Sequence, residues 1–383
     1  MKEFFKNFTK IIFIFMLSSN PLSSEESIKI GLLVPLSGET SSIGKSIIHS
    51  VRMGVNKINN KNLIIIPRDT KSNQNETLEI AKELYLEGVR IFIGPVFNKN
   101  LNGLSIFEDA IFLSLSNKIL GNPNNVITSG VNAKSQFDTI KKYLEINDLK
   151  KTLVLIPKKN YKNEIEEAIK TSKLKTKKIF YYDAEPTKLT KQIEKVTKYK
   201  IRKNNLKDEI KRVENSDEEN KEKKLEFLNK KDTLGRIGYD SIIIADFSES
   251  LKSVTTSLLY TDVSPKKVAF ISLNQWFDES LFREKTSQPI AFPSINRENF
   301  FDFRDKYKKI YNEYPSHIAI LGYDLVGLIY YLLLQNNFII NDKLFTKNNK
   351  FKGITGVFEI KNNKINHILK FYKVEDGEFK KIF

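Results

Sequence analysis

The stretch Ile28-Lys29-Ile30-Gly31-Leu32-Leu33-Val34-Pro35-Leu36 is apolar at Ile28, Ile30, Leu32, Leu33, Val34 and Leu36, a nearly unbroken run. Such a run predicts a strand covered on both faces of a parallel sheet, because a strand with one wet face would alternate. A loop rich in Ser and Gly follows, and then Ile47, Ile48, Val51, Val55 and Ile58 recur at helical spacing. Leu63 to Ile66 is a second apolar strand, ended by Pro67-Arg68-Asp69-Thr70. Leu78, Ile80, Ala81, Leu84 and Leu86 are spaced as a helix, and Arg90-Ile91-Phe92-Ile93 is a third strand stopped by Gly94-Pro95. This alternation predicts a doubly wound α/β lobe.

The pattern restarts after a helix near Phe137 to Leu144. Strands are expected at Thr152 to Ile156, Lys178 to Tyr182, Ser241 to Ala245 and Val268 to Leu273, with a helix beginning over Tyr161 to Ala168. The fold class is therefore α/β, with two doubly wound Rossmann-like lobes. The loops at the carboxyl ends of their strands face each other across a cleft. Farther on, Phe300 to Tyr311 and Ile318 to Leu334 read as core helices. Val357 to Ile360 and Ile368 to Tyr372, alternating on either side of Asn362-Asn363, read as one β-hairpin closing the fold.

Composition narrows the function. The 383 residues include no cysteine, so there is no disulfide, no thiolate nucleophile, no Cys-ligated zinc and no lipid-modified cysteine. His49, His317 and His367 stand far apart and form no HExxH spacing, which argues against a metal centre. The net charge is +17, but only nine of the 63 basic residues are Arg. Nucleic-acid readers rely on Arg forks, so scattered Lys argues against nucleic acid and fits an anionic envelope better. Lys2, Lys6 and Lys10 precede the apolar run Ile11 to Leu17 and the small residues Ser18-Ser19-Asn20-Pro21, the order of a signal peptide over 1–24. The expected mature chain is periplasmic, without a transmembrane span and not a lipoprotein. Gly38 to Gly44, followed by Lys45-Ser46, nearly forms a phosphate loop. Five residues separate its glycines where the cradle needs four, so the plainer reading is a polar loop at a helix N-terminus. Neither G-x-S-x-G nor GxGxxG follows a strand, and no cofactor and no enzymatic activity is expected.

Between Thr187 and Leu234 fifteen basic and ten acidic residues alternate. Leu189, Ile193 and Val196, then Leu206, Ile210 and Val213, repeat at a 3–4 spacing; after Asn215-Ser216-Asp217 come Leu225 and Leu228. This predicts a charged helical hairpin, residues 187–234, inserted in the second lobe. A solvated charged helix or a partly disordered linker is the competing reading. As a docking arm, its contact candidates are Leu206, Ile210, Val213, Leu225 and Leu228.

Ile30 to Gly38 with Ile43-Gly44 resembles the opening of the type 1 periplasmic-binding fold, the leucine-binding kind. Pro67-Arg68-Asp69-Thr70, Glu87-Gly88, Ile93-Gly94-Pro95-Val96-Phe97, Leu115-Ser116-Asn117 and Gly121 to Gly130 continue the likeness. Asp232-Thr233-Leu234-Gly235, Tyr239-Asp240, Leu259 to Val263, Trp276-Phe277-Asp278, Tyr323-Asp324 and Gly353 to Phe358 carry it toward the C-terminus. Within that superfamily the chain is most similar to the penicillin-binding-protein activator branch. The resemblance implies an N-terminal lobe of residues 27–133 plus 293–340 and a second of 134–292 plus 341–383. It also implies a cleft lined by Ser37, Asn98, Ser116, Asn117 and Tyr161. Phe97-Asn98 departs from the small hydroxyl residues of amino-acid binders. The implied partner is a penicillin-binding protein that synthesises peptidoglycan. The alternative is an ABC permease, with the chain delivering an amino-acid-like solute.

Overall fold

The computed structural model describes residues 27–341, 344–345, 350–361 and 363–383; the expected signal peptide lies outside the described residues. β1 (Ile28–Val34) is the hub of the first sheet, pairing in parallel with β2 (Leu63–Asp69) on one side and β3 (Ile91–Ile93) on the other. β4 (Ile111–Ser114) and β5 (Val126–Thr128) continue in parallel beyond β3. The two faces of β1 explain its apolar run. Ile30, Leu32 and Val34 join the core beneath α1 (Ser41–Ile58), whereas Leu33 joins the core beneath α2 (Gln74–Leu86) with Ile80, Ala81 and Leu84. Gly31 interrupts the run because a Cβ there would lie 2.5 Å from the Phe92 ring.

The second sheet is built likewise from β6 (Thr152–Pro157), β7 (Lys178–Tyr182), β8 (Ser241–Ile244) and β9 (Ala269–Ser272), all parallel, with β10 (Ile290–Ser294) beside β9. α3 (Ala133–Ile146) and α4 (Lys162–Thr171) cover one face, and α5 (Pro186–Val196) and α8 (Ser248–Tyr260) the other. After β10 the chain returns to the first lobe, where α9 (Arg297–Tyr311) and α10 (Ala319–Gln335) pack on α1.

The C-terminal region departs from expectation. Instead of one hairpin, β11 (Lys350–Gly353), β12 (Gly356–Lys361) and β13 (Lys364–Ile368) extend the first sheet beside β5. Only β14 (Lys370–Glu375) and β15 (Glu378–Lys381) join the second sheet, on β10. Assigning 341–383 wholly to the second lobe is thereby corrected, and the preceding crossing falls at Ile295 rather than before Pro293. Asp324 of α10 accounts for the difference: it accepts the N–H groups of Ile354 (2.7 Å) and Thr355 (2.9 Å), fixing the β11–β12 turn in the first lobe. The lobes are thus joined by three strands of backbone, near residues 129–132, 295–296 and 369. Asn132 donates to the Ile365 carbonyl (2.9 Å), and Asn296 N–H to that of Thr355 (3.1 Å).

The charged insertion also differs from a two-helix reading. α5 ends at Val196, and Lys198, in the left-handed region at φ 54°, turns the chain into α6 (Tyr199–Glu214). α5 belongs to the lobe, with Leu189, Ile193 and Val196 in its core; only α6 and α7 (Lys221–Asn229) form the projecting hairpin. Leu206, Val213 and Leu228 are buried in a small separate core, with Ile210, Leu225 and Leu234 packed against it. The five residues read as docking contacts are therefore the seam that holds the hairpin together. Two amphipathic helices must hide their stripes, and these hide them on each other.

Candidate functional site

In a parallel sheet the loops after the carboxyl ends of the strands converge, and here the loops of two sheets face one another. Between them lies a cavity of about 820 Å³. Val96 to Lys99 reach it from the end of β3, Leu115 to Lys118 from β4, Phe247-Ser248 from β8 and Asn274-Gln275-Trp276 from β9. His317 and Ile318 close it from the entry to α10.

Asn98, Ser116 and Asn117 line this cleft. Asn98 and Ser116 are already partly engaged: the Asn98 amide donates to Asn122 Oδ1 (3.0 Å), and Ser116 Oγ accepts the Lys118 N–H (3.2 Å). Ser37 and Tyr161 do not line it. Ser37 sits exposed in the loop after β1, a loop held by Asp69, whose Oδ1 accepts the N–H groups of Leu36 (2.7 Å) and Lys71 (2.9 Å). Tyr161 is turned away by Asp246, to which its hydroxyl donates at 3.0 Å.

Asp246, only 1% exposed at the end of β8, directly precedes the cleft-lining Phe247-Ser248; the carboxylate that itself lines the cleft is Asp278, whose Oδ1 accepts the Ser280 N–H at 2.9 Å. Asp246 is saturated by protein donors. Tyr182 (2.6 Å), Ser250 (2.5 Å), Tyr161 and the Lys159 ammonium (2.9 Å) all donate to it, as does the Phe247 N–H (3.0 Å). Burial alone would raise its pKa, but the donors outweigh burial and hold it below the ordinary value. Burial and the adjacent carboxylate push the Tyr161 and Tyr182 hydroxyls far up, so both remain donors at any physiological pH.

Several cleft residues carry no signature in spacing. Gln136 of α3 is consumed internally: its Oε1 accepts the Asn274 N–H (2.9 Å) and its amide donates to the Val131 carbonyl (3.1 Å). Asn274 Oδ1 accepts from Trp276 N–H (3.0 Å) and Ser294 Oγ (2.9 Å), leaving its buried Nδ2 without a protein partner. Trp276 and Phe277 both have left-handed backbones (φ 49° and 58°), a conformation bulky residues adopt only when surroundings impose it. Trp276, the sole tryptophan, thereby lies against His317 with ring centroids 5.1 Å apart. Its position directly after a strand was the available clue.

One contact spans the lobes at the cleft edge. Glu164, in the first turn of α4, accepts the N–H groups of Ile119 (3.1 Å) and Leu120 (2.9 Å), which belong to the loop between β4 and β5. Among the described residues no cluster of His, Asp or Glu could hold a metal ion, and no helix is long and apolar enough to cross a membrane.

This architecture is the two-lobed type 1 periplasmic-binding fold, of the leucine-binding kind. Residues 27–187 match the family model described as periplasmic binding protein. Among solved structures, the C-domain of LpoA from Haemophilus influenzae, a regulator of PBP1A, is similar at a TM-score of 0.62 and 14% identity, over 93% of this chain and 100% of that one. LivJ of Streptococcus pneumoniae, a branched-chain amino acid transporter substrate-binding protein in complex with isoleucine, gives 0.57 and 17%, over 93% and 99%. The leucine-binding protein LivK of Thermotoga maritima gives 0.59 and 13%, over 93% and 98%. At these identities the likeness is one of fold. Among curated proteins none matches the sequence.

Proposed function

We propose that this chain is a non-enzymatic periplasmic regulator that works by engaging a penicillin-binding protein, rather than a receptor for a transported amino acid. The observation that carries the reading is the state of Asp246. Capture of an α-ammonium in a cleft requires a carboxylate free to accept from it. Asp246, next to the cleft-lining Phe247-Ser248, is consumed by Lys159, two tyrosines and a serine, and Asp278, the carboxylate that lines the cleft, already gives one oxygen to the Ser280 N–H. The fold likeness to a regulator of PBP1A supports the same reading. The α6–α7 hairpin is the docking element, acting through its outer charged faces now that its apolar seam is closed. Activation requires contacts that differ between the two states of the partner enzyme.

The hairpin can be excised at its root, because Leu234 N–H donates to the Arg202 carbonyl at 2.9 Å and the flanks already meet. Replacing 204–231 by a short Gly-Ser linker should leave the lobes folded and abolish stimulation of a peptidoglycan synthase. Full stimulation by the shortened protein would refute the docking role. The second reading, a solute receptor for an ABC importer, is favoured by the unpartnered Asn274 Nδ2 and the size of the cleft. It predicts that one amino acid at 100 times its dissociation constant stabilises the protein by about 2.7 kcal/mol, a rise of a few degrees in Tm. The regulator reading predicts no such rise across the amino acids.

A further inference from the structure

The parallel strands β6 to β9 begin at one pole of the second lobe, opposite the cleft, and the segments feeding them are dense in lysine. Lys150 and Lys151 precede β6, Lys173, Lys175, Lys177 and Lys178 lead into β7, Arg236 precedes β8, and Lys266 and Lys267 precede β9; all nine are exposed. The same segments (145–151, 173–178, 232–240 and 262–268) hold five acids: Glu145, Asp148, Asp232, Asp240 and Asp262. Four of these are engaged locally, Glu145 with Lys141 at 4.0 Å. Asp240 accepts the N–H groups of Lys150 and Lys151 (2.9 and 2.8 Å), Asp262 accepts from Thr233 and pairs with Lys267, and Asp148 pairs with Lys150 at 2.6 Å. The ion pairs among the described residues leave Lys173, Lys175, Lys177 and Lys178 without a carboxylate.

Two further features share this pole. Three helix ends place apolar side chains in solvent: Ile146, the last residue of α3, is 60% exposed; Tyr260, the last of α8, 58%; and Ile201, in the first turn of α6, 58%. Between the ends of α3 and α4 lies a cavity of about 810 Å³, floored by Leu144, Leu149 and Leu174 and rimmed by Lys141, Lys150, Lys173 and Lys175, with Glu145 and Asp148 also on the rim. An apolar floor under a rim where four lysines outnumber two carboxylates suits an anionic amphiphile, with phosphate at the rim and hydrocarbon below it. The phosphate backbone of a nucleic acid would give the exposed ends of Ile146 and Ile201 no partner.

We infer that this pole of the second lobe binds the anionic surface of a lipid bilayer. The lysines meet phosphate headgroups, and Ile146, Ile201 and Tyr260 enter the interface, where amphipathic aromatic and aliphatic groups are stable. The cleft then faces away from the membrane, and the hairpin, rooted at the same pole, lies close to it.

Flotation of the full chain with vesicles tests this, comparing phosphatidylglycerol–phosphatidylcholine mixtures with phosphatidylcholine alone. Binding is expected only to the anionic vesicles and should fall steeply with salt as the Debye length shortens. Each surface lysine contributes about fivefold to vesicle affinity, so the quadruple variant K173Q/K175Q/K177Q/K178Q should lose about several hundredfold. The variant I201S/Y260S should bind more weakly with the salt dependence unchanged. All substituted positions are exposed, and an unchanged Tm verifies folding. Three results would overturn the inference: no binding to anionic vesicles at low salt, equal binding to neutral vesicles, or undiminished binding by the quadruple variant. A fourth is full competition by soluble polyphosphate together with no effect of I201S/Y260S, which would make the pole a polyanion site. None of these readouts involves a synthase, so the inference stands or falls apart from the regulator reading.

Discussion

Replacing Glu164 by alanine should loosen the two lobes. Its carboxylate accepts two backbone N–H groups from the other lobe, at 3.1 and 2.9 Å. Hydrogen bonds to a charged acceptor contribute about 1.5–3 kcal/mol each. Two considerations place the pair near the lower end of the sum. Leu120 is 40% exposed, so water can replace the lost acceptor, and the second oxygen of Glu164 is buried without a partner, which already costs the closed form. A net of about 2–4 kcal/mol remains, equivalent to roughly 30-fold to several hundredfold in the ratio of closed to open forms. The assay is amide hydrogen exchange at Ile119 and Leu120, combined with spin-label distances between α2 and α8. In Glu164→Ala the two amides should exchange faster by that factor, and the interlobe distance distribution should broaden. Glu164→Gln, which keeps a carbonyl acceptor without the charge, should fall between. Identical exchange at both amides with an unchanged distance distribution would refute the reasoning, because the contact would then be incidental to lobe position.

Arg202→Met should release the hairpin without unfolding the lobes. Arg202 is 3% exposed and donates to the carbonyls of Thr197 (3.1 Å) and Thr261 and to Thr233 Oγ1 (2.8 Å), at a cost on removal of about 3–5 kcal/mol. Limited proteolysis should then cut first between residues 203 and 231, and an unchanged cleavage pattern would exclude the anchoring role. His367 makes a pH prediction. Burial lowers its pKa from 6.5 to about 4, and its Nε2–H donates to the Ser129 carbonyl at 2.9 Å. The unfolded chain therefore binds this proton more readily, so the stability it contributes is complete above pH 6.5 and is lost as pH falls to 4, about 3 kcal/mol in all. Asp324 runs the other way: burial raises its pKa to about 6, and it adds stability as pH falls from there. The stability difference between the parent and His367→Gln should shrink by about 3 kcal/mol from pH 6.5 to 4, measured by urea denaturation at each pH. A constant difference would show that His367 is not buried as neutral imidazole.

The first lobe was legible because its signal is local. Ile28 to Leu36 must be covered on two faces, and the next two strands repeat the demand at the right intervals. The C-terminus was not legible, because alternation shows which residues face inward but not which sheet receives them. Val357, Ile360 and Ile368 alternate equally well against either lobe, and the decision rests on Asp324, whose partners Ile354 and Thr355 lie about 30 residues away in sequence. In the insertion, the 3–4 spacing continues across Thr197-Lys198, and nothing in the apolar pattern marks a non-glycine residue that turns left-handed. Tyr161 shows the same limit in the cleft. Its place after a strand was read correctly, but the direction of its hydroxyl depends on Asp246, which sits 85 residues on.

The cleft and the outer surface carry different amounts of free chemistry. Around the cleft, Asp246 and Gln136 spend their hydrogen bonds on the protein itself and one oxygen of Glu164 does the same, and each of them fixes a loop that a mobile receptor would need free. A lobe closing on a solute gains from contacts made only in the closed state, and groups already satisfied in the unliganded protein offer little such gain. On the outside, the second lobe presents exposed lysines, three apolar helix ends and a charged hairpin anchored by a buried arginine. Anchoring a hairpin through Arg202 holds a surface of alternating charge at a fixed angle to the lobe, which is useful to a docking element and of no use to solute capture. The two lobes serve best as a rigid frame that fixes the hairpin relative to the lysine-rich pole.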